Sequence, residues 1–78
     1  MKTQQVAVAI LIPGTVDDGG WSESAALAGE SLARSQDMQV EVVAQLGSDG
    51  ATETVASIAD RGTDLIIGHG FEFIRSFL

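Results

Sequence analysis

A chain of 78 residues can fold, but it buries a smaller share of its surface than a larger domain, and with no cysteines it has neither disulfides nor a thiolate metal site to reinforce the core. Eleven acidic against four basic residues give a net charge of −7, which argues against nucleic acid or an anionic membrane as partner, since both need a basic patch. A hydrophobic content of 45% is that of a packed domain and excludes a disordered one. The first element in chain order is the continuous apolar run Val6 to Ile12, which suits a parallel strand covered on both faces. Pro13-Gly14 ends it, and a loop runs through Asp17-Asp18-Gly19-Gly20. A helix is predicted from Trp21 to Ser35, with Trp21, Ala25, Ala28 and Leu32 on its buried face and Gly29 allowing close approach to the sheet. Asp17 and Asp18 are placed to cap it. Met38 to Leu46 reads as a second strand, followed by a Ser48-Asp49-Gly50 turn in which Asp49 is the expected N-cap of a helix over 51–61. That helix has Val55, Ile58 and Ala59 as its apolar stripe and Gly62 as its C′ residue. Asp64 to Ile67 makes a third strand, ending in Gly68-His69-Gly70. The fold class is therefore α/β: a three-layer β-α-β-α-β arrangement around a parallel sheet with right-handed crossovers.

In an open parallel sheet, ligands bind beyond the carboxyl ends of the strands. Two loops at that edge, 13–20 and 68–73, combine glycines with an aromatic residue and polar side chains. Phosphate fingerprints fail: there is no Gly-Lys-Ser/Thr, and Gly68-His69-Gly70-Phe71-Glu72-Phe73 has Phe73 where a dinucleotide motif needs its third glycine. His69 is the only histidine and has no surrounding cluster of metal-ligand spacing, so neither a metal site nor a catalytic residue is assigned, and no cofactor is expected. Trp21 reads either as the first core residue of its helix or as a flat wall for a planar ligand. Phe71 and Phe73 read first as core.

Taken together, Pro13-Gly14-Thr15-Val16-Asp17-Asp18-Gly19-Gly20-Trp21 and Asp64-Leu65-Ile66-Ile67-Gly68-His69-Gly70-Phe71-Glu72-Phe73 resemble the BMP (basic membrane protein, PnrA-like) family of ABC transporter substrate-binding proteins. The likeness runs from about Val6 to Phe73. It implies the type I periplasmic-binding-protein fold, in which two lobes close over a ligand that is often a purine nucleoside. In that family an aromatic residue followed by asparagine contacts the ligand; Trp21 matches the first position, and Ser22 stands where asparagine is usual.

The resemblance implies a solute-binding protein and not an enzyme. Residues 1–78 would be a truncated N-terminal lobe, with the second lobe absent. The ligand-binding candidates are Asp17, Asp18, Trp21, Ser22, His69, Gly70 and Phe71. The implied partners are a small polar ring-containing molecule and, for the full-length parent, a transporter permease. The parent would be periplasmic or a membrane-anchored lipoprotein, whereas the chain as written shows no signal peptide and reads as cytoplasmic. A cytoplasmic ligand sensor of the same fold and a non-functional truncated product are the alternatives. A flavodoxin-like carrier would need a hydroxyl-rich first loop, which Thr15 with two aspartates does not supply. Open strand edges, with Phe71, Phe73, Phe77 and Leu78 in the tail, lead to an expectation of self-association.

Overall fold

The computed structural model describes residues 6–35, 38–70 and 73, with only the backbone at 48 and 49. Five elements alternate along the chain: β1 (Ala7–Leu11), α1 (Trp21–Ser35), β2 (Gln39–Val43), α2 (Ser48–Asp60) and β3 (Leu65–Gly68). The strands form one parallel sheet in the order β2-β1-β3. The most apolar strand is thus the central one. Val8, Ile10 and Ile12 point to one face, where they meet Ala25 of α1, and Ala9 and Leu11 point to the other, where they meet Ala51 and Ile58 of α2 and Phe73. A strand buried on both sides has no polar face to present, which is why this run shows no alternation.

The bounds of α1 agree with the sequence reading, but its buried face does not. Ser22, Ala25, Ala26 and Gly29 face the sheet, while Trp21 and Ala28 are exposed and Leu32 is half-buried. The face is turned by about one residue because the helix approaches through its smallest side chains. A Cβ at Gly29 would lie 3.0 Å from Ile10 Cδ1 and 3.2 Å from Val40 Cγ1, so the glycine makes room for the sheet as expected. The bulky Trp21 is left outside this close contact.

β2 is shorter than Met38 to Leu46, ending at Val43. Beyond it Gln45 takes a positive φ of 57°, and its N–H donates to the Gly14 carbonyl at 2.8 Å, while Leu46 N–H donates to Ile12 O at 3.1 Å. The chain therefore leaves the strand but stays fastened to the first loop. α2 starts at Ser48, with Gly47 as its N-cap and no side-chain cap, so Asp49 lies in the first turn and is not the cap. The earlier start makes Ala51, Val55 and Ile58 the inward face and leaves Ala59 exposed. Gly62 follows the C-cap residue Arg61 with φ +86°, the left-handed conformation that a glycine adopts without strain.

Asp64 precedes β3 and docks it: its N–H donates to Ala7 O and its Oδ2 accepts from Ala7 N–H, both at 2.8 Å. The register pairs Val8 with Leu65 and Ile10 with Ile67, so Leu65 and Ile67 lie on the α1 side. α1 packs chiefly over β2 and β1, leaving Leu65 51% and Ile67 37% exposed. The apolar exposure expected of the tail is thus partly misplaced. Phe73 is buried in the α2-side core, Leu65 and Ile67 of β3 are among the bare apolar side chains of the described residues, and Phe71, Phe77 and Leu78 lie outside them.

Candidate functional site

The loops after β1 and β3 emerge side by side at the carboxyl edge of the sheet, where His69 N–H donates to Leu11 O at 2.9 Å and extends the parallel ladder. The first loop is organised by Asp18. Its Oδ1 accepts from Gly20 N–H and Glu23 N–H, each at 2.9 Å, and its Oδ2 accepts from Ser22 N–H at 3.2 Å. Glu23 answers by accepting the Gly19 N–H at 2.7 Å, a reciprocal arrangement of the capping-box type in which Asp18 satisfies the Ser22 and Glu23 N–H groups of α1. Asp17 is exposed beside this network.

The bonds from Glu23 N–H and then Gly20 N–H, with a lesser contribution from Ser22, hold the Asp18 carboxyl below its ordinary value against the opposing desolvation. A lowered folded-state pKa stabilises the fold above the ordinary aspartate range, near pH 4, and that contribution disappears as pH falls through the lowered value. Wild type is therefore expected to melt above the Asp18→Asn variant at neutral pH, with the gap closing on acidification below about pH 4. A gap that stays constant across the titration, followed by circular dichroism, would refute the capping role of the ionised group.

Ser22 is 1% exposed, and its Oγ accepts from Gly14 N–H at 2.9 Å while its hydroxyl donates to Asp18. It is therefore a tie between the loop and the helix, turned inward from the surface. A Cβ on Gly14 would lie 2.8 Å from Ser22 Oγ and 3.0 Å from Asp18 Oδ2, so only glycine fits there without displacement.

Trp21 and His69, 48 residues apart, join the two loops. Their rings stack with centroids 4.3 Å apart at an interplanar angle of 24°. Trp21 Nε1–H donates to the His69 carbonyl at 3.2 Å, and His69 Nε2 lies 3.1 Å from the Trp21 carbonyl. A carbonyl can only accept, so Nε2 carries the proton. Even so, Trp21 remains 62% exposed. Of the sequence candidates, the structure brings Asp17, Asp18, Trp21, His69 and Gly70 to this edge, turns Ser22 inward, and leaves Phe71 outside the described residues. The stack and the Gly14–Ser22 bond have no local sequence signal.

Among the described residues, the site is an exposed ring set among carboxylates and backbone groups. Among the described residues, no group of three or more His, Cys, Asp or Glu side chains could hold a metal ion. A cavity of about 420 Å³ opens at the opposite end of the sheet, lined by residues including Ala7, Gln39, Glu41, Arg61 and Thr63. It has no aromatic wall, and its Arg61–Glu41 pair, 2.8 Å apart, is already mutually satisfied. The loop edge is the better candidate because topology places ligands there in parallel sheets.

The family model for Bmp, described as ABC transporter substrate-binding protein PnrA-like, matches residues 5–77. The chain belongs to this Bmp family. A solved structure of an ABC transporter system solute-binding protein from Conexibacter woesei DSM 14684 shares 32% sequence identity with it and superposes with a TM-score of 0.87. That alignment covers 94% of this chain and 24% of the other, so this Bmp-family chain spans about a quarter of the length of the structure it matches. No curated protein matches it. The parallel α/β arrangement read from the sequence is the fold of that solute-binding protein. None of the described helices is long and apolar enough to cross a membrane.

Proposed function

We propose that this Bmp-family chain forms part of the ligand-binding lobe of an ABC transporter solute-binding protein and captures a small, neutral, polar ring-containing molecule such as a purine nucleoside. The observation that carries this reading is the exposed indole of Trp21, fixed at the carboxyl edge of the sheet. An aromatic face held in place is suited to stacking against a flat ring. The carboxylates of Asp17 and Asp18 and the chain's net charge of −7 disfavour phosphorylated ligands, and the exposed Asp17 suits hydroxyl or amine donors. Asp17, Trp21, His69 and Gly70 supply the wall, with Phe71 as a further candidate from sequence. Asp18 and Ser22 act behind them by shaping the loop. A second lobe would close the cleft, a permease would take the cargo, and the parent protein would work outside the cytoplasm without catalysing a reaction. The bare Leu65 and Ile67 face, with β2 and β3 as open sheet edges, favours a second copy of this chain as a further partner at high concentration.

The test is a titration of tryptophan emission, which Trp21 alone supplies. Adenosine and inosine are expected to give a saturable change at millimolar concentration, with adenosine monophosphate binding more weakly. Trp21→Leu is expected to abolish adenosine binding measured by calorimetry. Equal binding of nucleoside and nucleotide, or no saturation by either nucleoside, would rule the reading out.

A further inference from the structure

The indole of Trp21 is held by two direct contacts, both to His69. Its Nε1–H is spent on the His69 carbonyl and the imidazole lies against one ring face, and a further bond, from His69 Nε2–H to the Trp21 backbone carbonyl, fastens that imidazole in place. Both residues sit on rigid anchors. Trp21 opens α1, and His69 N–H is fastened to Leu11 O of the central strand. With the indole N–H already used, the side chain has no polar group left to offer. With 62% of the residue still exposed, its remaining surface is open to solvent.

We infer that His69 is a positioning residue for Trp21: it holds the indole so that the site presents a bare aromatic face and no tryptophan hydrogen bond. Recognition by that face depends on the area of the stacked ring and tolerates variation at the ligand's polar edge, as stacking on aromatic platforms generally does. Holding the ring before the ligand arrives also removes part of the ordering cost of binding. The ligand-facing half of this inference rests on the solute-binding reading above. The positioning half concerns the unliganded chain alone.

The experiment compares the full chain with His69→Ala and His69→Phe. His69→Ala removes the ring and the Nε2–H donor together. His69→Phe restores a ring to stack on but no donor. Near-ultraviolet circular dichroism and acrylamide quenching report on Trp21, and far-ultraviolet melting confirms that each variant is folded. His69→Ala is expected to lose most of the tryptophan near-ultraviolet band and to raise the quenching constant roughly twofold, because the second indole face is uncovered. His69→Phe is expected to recover most of the band. Adenosine affinity is expected to fall roughly three- to tenfold in His69→Ala, and by less in His69→Phe. A folded His69→Ala with the native band and native quenching would overturn the inference, as would a His69→Phe variant no different from His69→Ala. Loss and recovery of the band with no adenosine response in the native chain would uphold the positioning role and remove the nucleoside reading instead.

Discussion

Replacing Leu11 by alanine is expected to lower the stability of this chain by about 2–5 kcal/mol, the range for emptying a leucine site in a packed core. Leu11 has no exposed surface and lies in the α2-side cluster with Ala9, Ala51, Ile58 and Phe73. Two of those neighbours are alanines, which cannot extend into the vacated space, so the cavity would persist. A domain of this size is typically stable by roughly 4–12 kcal/mol, from about 0.05–0.15 kcal/mol per residue, so one substitution removes a large part of the margin. Melting is expected to fall by at least about 8 °C, at roughly 4–8 °C per kcal/mol for so small a domain. Thermal unfolding by far-ultraviolet circular dichroism measures it, and a shift of only a degree or two would show that the core collapses around the gap. The consequence also reaches the site, because the Leu11 carbonyl anchors His69.

The sheet was legible because its information is local. A continuous apolar run with no polar alternation marks a strand covered on both sides, and the run Val6 to Ile12 contains the central strand β1 (Ala7–Leu11) with a helix on each face. Gly29 and Gly62 were legible for the same reason: each answers a local need, for space in one case and for a positive φ in the other. The helix faces were less so. Apolar spacing put Trp21 and Ala28 inward on α1, yet hydrogen bonding draws the polar Ser22 into the interior and leaves the tryptophan outside. Hydropathy carries no record of a bond from Gly14 to a serine eight residues on, nor of a stack between residues 48 apart. Asp49 failed as a cap for a different reason. The helix begins one turn earlier than a Ser-Asp-Gly turn would suggest, at a glycine that caps through its backbone alone.

The two loops of the site differ in how they are held. The first is tied to itself and to α1 by short bonds around Asp18 and Ser22, so its shape is fixed before any ligand arrives. The loop after β3 depends on the first: among the bonds described at His69, two run to Trp21 and one to the end of β1. A disturbance in the first loop is therefore transmitted to the loop after β3, whereas the reverse path disturbs only the orientation of one indole. This asymmetry makes Gly14, remote from the exposed ring, a sensitive position in the site.

Gly14→Ala is expected to cost about 1–3 kcal/mol, the usual range for forcing an extra carbon into a packed region. The new methyl would sit 2.8 Å from Ser22 Oγ, 3.0 Å from Asp18 Oδ2 and 3.3 Å from Ser22 Cβ. Moving the glycine away is resisted at both ends of the residue, since its N–H is held by Ser22 and its carbonyl by Gln45. The strain must then pass into the start of α1, shifting Asp18, Ser22 and the adjoining Trp21. Melting is expected to fall, and the tryptophan near-ultraviolet band to weaken, although the three atoms nearest the new methyl belong to Ser22 and Asp18 and not to the indole. The decisive comparison places the same change in a Ser22→Ala background. Ser22→Ala alone leaves the Gly14 N–H without its acceptor, at about 1 kcal/mol. It also removes the oxygen that the methyl would strike, so Gly14→Ala is expected to cost less there than in wild type, a coupling of the kind contacting residues show. Strictly additive effects in that double-mutant cycle would mean that Ser22 Oγ is not what excludes a side chain at position 14, and that the loop is held from elsewhere.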